Sequence, residues 1–372
     1  MEKRAFEKLG IQTSLLGFGC MRFPLTADQK IDEAEAENMI DRAIAAGVNY
    51  IDTAYPYHNG DSEPFVGRVL EKYDRDSYYL ATKLPIWKLD TLEDAKKVFE
   101  EQMERLHKDY VDFYLLHALD RAKFEKVKAL GIVPYLEEMR AAGKIRYLGF
   151  SFHDDYEVFE EILNYYPWDF VRFSSIIWIQ NPGGMKGYHL AEEKGIPVIV
   201  MEPVKGGMLA SLPTEIEEQL TKERAQASIA SWALRFVGTL PNVKVILSGM
   251  STMGQVEDNL SIFETFEPLS EKEQKLIENT ADTLKSRVKN GCTGCAYCMP
   301  CPAGVDIPGN FRIWNDQAVY QNTEQTKKKW SGMDEKAKAD HCIRCGKCEK
   351  VCPQKISIRE NLHQVAEELN TL

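Results

Sequence analysis

Eight short apolar runs, each followed by a longer amphipathic one, fill about the first 265 residues of this 372-residue chain, and few folds accept that order. The predicted strands are Leu15–Gly19, Val48–Ala54, Tyr79–Leu84, Asp112–Leu119, Ile145–Phe152, Phe170–Ile177, Ile196–Glu202 and Val243–Ser248. Helices are predicted over Asp32–Gly47, Ser62–Tyr73, Leu92–His107, Val133–Ala142, Asp155–Tyr166, Met185–Lys194, near Lys222–Phe236, and from Thr252 to about Thr265. Runs such as Tyr79–Leu84 and Val198–Met201 are apolar without strict alternation, as parallel strands buried on both faces are. Eight strand–helix units in this length predict an α/β fold, a closed (β/α)8 TIM barrel, over an open doubly wound sheet. No Gly-x-Gly-x-x-Gly follows a strand, since Gly17-Phe18-Gly19 lacks the third glycine and the helix start, so the dinucleotide-binding doubly wound reading is weak.

Beyond Glu271 a polar helix is predicted to about Val288, and Asn290-Gly291 breaks it. There the composition changes, which places a domain boundary near 288: a barrel over 1–288 and a small domain over 289–372. Eight of the nine cysteines lie in that second part. Cys342, Cys345, Cys348 and Cys352-Pro353 have the spacing of a bacterial ferredoxin run, in which three thiolates hold one iron–sulfur cube and the fourth reaches the other. Cys292, Cys295, Cys298 and Cys301-Pro302 repeat the pattern with one residue fewer before the last cysteine. The spacings predict two 4Fe–4S clusters, one on Cys292, Cys295, Cys298 and Cys352, the other on Cys342, Cys345, Cys348 and Cys301. Four-thiolate zinc is the competing reading of paired C-x2-C. The stretch Gln321–Lys329 is polar and expected to be exposed.

Charge and hydropathy narrow the partners. With 46 Lys+Arg against 57 Asp+Glu the chain carries −11, which argues against a nucleic-acid partner held through phosphates. Its longest apolar runs fall far short of the roughly 20 residues a bilayer span needs, and no apolar leader follows Met1-Glu2-Lys3-Arg4. No membrane association is expected, and a cytoplasmic location is. Clustered cysteines in a reducing compartment read as metal ligands rather than disulfides.

Asp52, Lys83 and His117 fall at the C-terminal ends of the second, third and fourth predicted strands, and Tyr57 follows in the loop after the second. In a (β/α)8 barrel such strand ends converge on one face, where the active site lies. A lysine at a buried strand end is costly unless paired, and Asp52 can pair it. A phenol is a poor acid at neutral pH, and an adjacent ammonium favours its phenolate. A tyrosine beside a held lysine, with a histidine to hydrogen-bond a substrate oxygen, can therefore deliver a proton to a carbonyl oxygen while its carbon is reduced.

These residues carry a resemblance. Asn49-Tyr50-Ile51-Asp52-Thr53-Ala54-Tyr55-Pro56-Tyr57, Ala81-Thr82-Lys83 and Leu115-Leu116-His117 resemble the aldo/keto reductase family over about residues 5–265, and the tail resembles its iron–sulfur-bearing branch. The resemblance implies a (β/α)8 barrel using NADP or NAD, with Tyr57 as general acid, Lys83 and Asp52 its tuning pair and His117 the orienting residue. For the dinucleotide it implies Cys20, Met21 and Arg22 near ribose and nicotinamide, with Asp52 beside them. Ser151 matches the serine of a Ser-Asn pair whose asparagine is here Phe152. Arg172 replaces the usual glutamine of strand six, and Met201 replaces the tyrosine that stacks on nicotinamide. Pro203, Gly206 and Gly207 match the loop over the pyrophosphate, and Ser248, Gly249, Gln255 and Asn259 match the adenosine segment. The basic residues that commonly hold a 2′-phosphate are absent, Gly249 and Gln255 standing in their places.

Three functions follow: a carbonyl reductase acting on a small-molecule carbonyl or related unsaturated compound; a flavin- or ferredoxin-coupled reductase whose clusters relay electrons from a ferredoxin or flavoprotein partner; and a non-enzymatic redox-sensing module. The intact tetrad argues against the last, and the altered nicotinamide contacts leave a flavin open. Trp87 reads as substrate wall or surface cover, His153 as ligand contact or loop histidine, Trp168 and Trp232 as core, and Glu33–Glu37 as a solvated helix face. Cys20 also reads as a small buried hydrophobe.

Overall fold

The computed structural model describes residues 1–174 and 182–372. Ten strands are described: β1 (Lys3–Phe6), β2 (Ile11–Ser14), β3 (Leu16–Gly19), β4 (Tyr50–Asp52), β5 (Tyr79–Leu84), β6 (Val111–Leu119), β7 (Ile145–Phe152), β8 (Phe170–Ser174), β9 (Val198–Met201) and β10 (Val243–Ser248). Strands β3 to β10 are parallel and close on themselves, β10 pairing with both β9 and β3. This is the (β/α)8 barrel expected from the alternation.

Several elements differ from the sequence reading. An antiparallel hairpin, β1 with β2, precedes the barrel and was not expected, because its four-residue strands are half polar. It sends Phe6 into the barrel interior, where its ring meets Phe113 edge-on at 5.7 Å. The helix expected near 222–236 is two, Thr214–Glu223 and Ile229–Thr239, because Arg224 leaves helical geometry at φ −137°. An additional helix, Arg121–Leu130, precedes Ile132–Ala141; Gly131, in the left-handed region at φ +67°, divides them. Residues 175–177 of the sixth expected strand lie outside the described residues.

Two hydrophobic layers hold the barrel. Between strands and helices lie residues such as Ile40, Phe99, Leu136 and Ile162; inside the barrel lie Tyr50, Ala81, Phe113, Leu115, Phe170, Ile199, Met201, Val245 and Leu247. Gly17 marks how close the interior is, since a Cβ there would stand 2.6 Å from Val245 Cγ1 and 2.8 Å from Leu247 Cδ2.

The chain divides into two compact units: Met1–Gly206 with Ser231–Ser270, and Gly207–Ala230 with Glu271–Leu372. This division differs from the 1–288 and 289–372 expected from composition. Composition changes where the cysteines begin, whereas compactness follows the pairing of helix Thr214–Glu223 with helix Glu271–Ser286, bridged by Glu223–Lys272 at 2.7 Å and by Arg224–Glu273. The second unit is helical around its cysteines. Helices Ile307–Tyr320, Thr323–Ser331 and Ile358–Leu369 surround a small core of Ile307, Phe311, Trp314, Trp330, Leu362 and Val365. The polar Gln321–Lys329 stretch is thus mostly helix, and its Thr326 is buried. Among the described residues no helix is long and apolar enough to cross a membrane.

Candidate active site and cysteine cavities

Strand register assembles the first site. Asp52 pairs with Ala81, Lys83 with Leu115, Leu115 with Gly149, and Arg172 with both Ser151 and Ile199. Side chains alternate along a strand and paired residues share a face. Ala81, Leu115 and Ile199 face the barrel interior. Register therefore turns Asp52, Lys83, His117, Ser151, Arg172 and Met201 to that same face at the strand ends.

The geometry is tight. Lys83 Nζ donates to Asp52 Oδ1 at 2.9 Å and also to the Thr53 carbonyl. Arg172 Nη1 donates to Asp52 Oδ2 at 2.8 Å. One carboxylate thus holds two cations, and Lys83, Asp52 and Arg172 are all nearly inaccessible to solvent. Burial opposes the Arg172 charge, yet Asp52 and then Tyr57 and Tyr50 hold its guanidinium above the ordinary arginine value. Lys83 Nζ lies 4.6 Å from the Tyr57 ring centre. Tyr57 itself is 8% exposed and sits where the chain turns sharply, His58 (φ +51°) and Asn59 (φ +56°) both taking left-handed backbone immediately after it.

His117 completes the group, its ring 6.2 Å from that of Tyr57 and 4.9 Å from that of Trp87. Burial, then the charges of Lys83 and Arg172, hold its pKa well below the ordinary histidine value, so the ring is neutral at pH 7. Its Nδ1 and the Nε of Arg172 are buried without a partner in the protein. Burial likewise lowers His153. The arrangement combines a phenol, two fixed cations and a neutral imidazole at the mouth of an apolar barrel. Such a group can hydrogen-bond a carbonyl oxygen and pass it a proton.

The remaining expected residues separate into two sets. Cys20 is fully buried, and burial, then Asp52, raises its thiol pKa well above the usual value. Ser151 accepts from the Ala118 amide at 2.7 Å, which ties it to the strand end beside His117. Ser248 is turned away from the interior, where its Oγ accepts from Asn259 Nδ2 at 2.6 Å. Pro203 is buried. By contrast Met21, Arg22, Gly206, Gly207, Gly249 and Gln255 are exposed. Gly206 and Gly207 have φ of +63° and +97°, and a Cβ at Gly207 would meet nothing within 4 Å. Arg22 packs over Gly249, where a Cβ would lie 2.7 Å from its Cγ, and Ser251 donates from its Oγ to the Arg22 carbonyl at 2.7 Å. Exposed backbone, an exposed cation and two buried polar atoms without partners fit a phosphorylated dinucleotide with a polar head group.

Sequence reasoning missed the support beneath Lys83. Gln102 donates to the Lys83 carbonyl at 3.1 Å and to Glu63 at 2.7 Å, and Thr82 donates to Glu63 at 2.6 Å. Burial raises the Glu63 carboxyl pKa. The signal was present: Gln102 lies on the face of helix Leu92–Leu106 formed by Ala95, Val98, Phe99 and Leu106, all buried.

In the second unit the cysteines ring two cavities. Cys292, Cys295, Cys298 and Cys352 line one, beside Phe311 and Ile358. Cys301, Cys342, Cys345 and Cys348 line the other, with Cys298 at its edge. Among the described residues no three His, Cys, Asp or Glu side chains meet around one point as ligands of a single ion. A four-iron cube takes four thiolates, and each cavity is lined by a set of four cysteines of the kind such a cube uses. Each half of the ferredoxin pattern supplies three cysteines to one cavity and one to the other, as the spacing rule requires.

Comparison with known proteins identifies the class. The aldo/keto reductase family matches residues 15–282, and a 4Fe-4S dicluster domain matches residues 291–357. The chain belongs to the aldo/keto reductase family: it is an oxidoreductase of that NAD(P)H-using group with an iron–sulfur domain. It is 26% identical to L-galactose dehydrogenase of Arabidopsis thaliana over 313 residues, 78% of this chain and 96% of that protein. It is 25% identical to the NADH-specific methylglyoxal reductase of Escherichia coli over 286 residues, 65% of this chain and 86% of that one. The holo aldo-keto reductase AKR11C1 of Bacillus halodurans superposes with a TM-score of 0.62 at 27% identity, over 75% of this chain and 96% of that chain.

Proposed function

We propose that the barrel reduces a carbonyl, or a related unsaturated bond, in a small molecule, with Tyr57 as general acid. The Lys83–Asp52 pair beneath the Tyr57 ring carries this reading. NAD(P)H, when bound, supplies the hydride. Arg22, Gly206, Gly249 and Gln255 would hold the dinucleotide, with Met21, Met201 and Pro203 toward its nicotinamide end, Cys20 buried behind them, and Ser248 and Asn259 bracing the adenosine segment. His117, neutral, donates to the substrate oxygen and orients it. Tyr57 passes its proton to that oxygen, and Lys83 and Arg172 meet the phenolate left behind. Trp87, its ring tilted against that of His117 at 4.9 Å, forms a wall of the substrate site.

The tail is proposed to hold two 4Fe–4S clusters, on the two cysteine sets above, in a domain beginning near residue 289. Such clusters suit a reducing cytoplasmic setting. A second reading, in which the clusters relay electrons, is favoured by the two separate cysteine cavities, since one cluster would close the tail. The test of the leading reading is Tyr57→Phe. It should lower kcat for carbonyl reduction about a hundredfold or more while the dinucleotide still binds. A nearly unchanged kcat would remove this tetrad from the reaction. An absorbance spectrum of anaerobically purified protein separates clusters alone from clusters with flavin.

A further inference from the structure

The rim of one cysteine cavity is unusual for this chain. Tyr297, Ile343 and Val351 stand 69%, 66% and 53% exposed, and all three border the cavity of Cys301, Cys342, Cys345 and Cys348. Large apolar side chains left in solvent at a cofactor's edge point to an interaction surface. Around them the charge reverses. Although the chain carries −11, residues 340–360 hold five cations, Arg344, Lys347, Lys350, Lys355 and Arg359, against three carboxylates, Asp340, Glu349 and Glu360. Arg359 binds Glu349 at 2.8 Å and Arg344 approaches Glu360 at 3.7 Å. Lys347, Lys350 and Lys355 are exposed, and among the described residues none has an ion-pair partner. Cys345, a proposed cluster ligand, is exposed within the same rim.

Resting on the two-cluster reading above, we infer that this rim docks a small acidic one-electron carrier protein of the ferredoxin type. A compact apolar spot beside Arg344, Lys347 and Arg359, which line the same cavity, with Lys350 next to Val351 in the chain, gives the short-lived, charge-steered encounter that electron carriers use, with little buried area and a fast on-rate. One electron leaves the reduced carrier and enters the cluster behind Cys345; the carrier is oxidised by one, the cluster reduced by one, and no bond breaks. Elsewhere the acidic chain repels an acidic carrier, so the basic rim also sets where it lands.

The test uses the full chain with its clusters loaded, and an acidic ferredoxin as probe. Binding is measured by calorimetry at low and high salt, and cluster reduction by stopped-flow bleaching with reduced ferredoxin. The triple variant Lys347→Glu, Lys350→Glu, Lys355→Glu should bind at least about tenfold more weakly and lose most of the salt dependence. Its iron and sulfide content and its reduction by methyl viologen, which needs no docking surface, should not change. If the triple variant fails to load clusters, Ile343→Asp replaces it, with the same loss of binding expected. Unchanged ferredoxin binding in both variants, no binding by the parent at low salt, or equal capture by vesicles of anionic lipid would each overturn the proposal. NAD(P)H-driven carbonyl turnover, followed in the same variants, reports on the barrel reading separately: its loss with docking intact condemns that reading and not this one.

Discussion

The barrel and the cysteine unit solve the same problem, holding polar chemistry in place, by opposite means. In the barrel the functional groups are anchored by protein alone. Asp52 is shared by Lys83 and Arg172, Lys83 is braced by Gln102 and the Thr53 carbonyl, and two continuous apolar layers fix the strands. In the cysteine unit eight free thiols face two cavities over a core of eleven buried residues. The expectation is that the cysteine region depends on the clusters it binds more than the barrel depends on any ligand. The barrel group is precast by the fold, whereas the thiols are expected to be completed by the clusters proposed above.

The sharpest way to break this contrast is to strip the clusters. Loaded protein should contain close to eight iron and eight labile sulfide per chain, and about four of each would leave one cluster. After removal, amide exchange in helix Ile358–Leu369 should accelerate on the order of a hundredfold or more while β5 and β6 stay protected. Zinc without sulfide, or a tail equally protected when stripped, would end the distinction.

The barrel side is probed by Asp52→Asn, which leaves two buried cations facing each other. Losing one partner of a buried pair costs about 3–5 kcal/mol, so the barrel's unfolding midpoint should fall by roughly 6 °C or more. A shift of about 1 °C would mean that solvent reaches these cations in spite of their burial.

A smaller effect comes from pH. His117 is held neutral, with its pKa below the ordinary 6.5. Above that value neither folded nor unfolded chain protonates it, and stability is level. Below it the unfolded chain gains a proton that the folded one refuses, so stability falls with acid until the folded value is reached. His117→Gln should flatten that slope in denaturant titrations between pH 6.5 and more acid values. An unchanged slope would assign it to other groups, His153 first.

The smallest expected difference is between the two dinucleotides. With Gly249 and Gln255 where basic residues commonly stand, titration should show little preference for NADPH, or a preference for NADH. NADPH bound about a hundredfold tighter would point to a cation from elsewhere, Arg22 over Gly249 or Lys205, and Arg22→Ala would tell them apart.

Much of this was legible in the chain. Parallel strands buried on both faces read as short, mostly apolar runs without strict alternation, and β5, β7 and β10 have the limits their sequences imply. Less legible were elements whose residues are ambiguous alone: the half-polar hairpin β1–β2, the helix Thr214–Glu223, and the tail helices, whose apolar residues are diluted by cysteine, proline and lysine.

The sequence by itself determined the alternation that closes a barrel, the residue types at its strand ends, and the crossed pattern of eight cysteines, because each of these is a matter of spacing along the chain. Tertiary structure alone decided that Arg172, 120 residues from Asp52, takes the second oxygen of that carboxylate. It also decided that Ser248 turns away to Asn259, and that Tyr297 joins Ile343 and Val351 around one cavity. Those contacts depend on strand register and on closure of the chain in space, and neither is written in local periodicity.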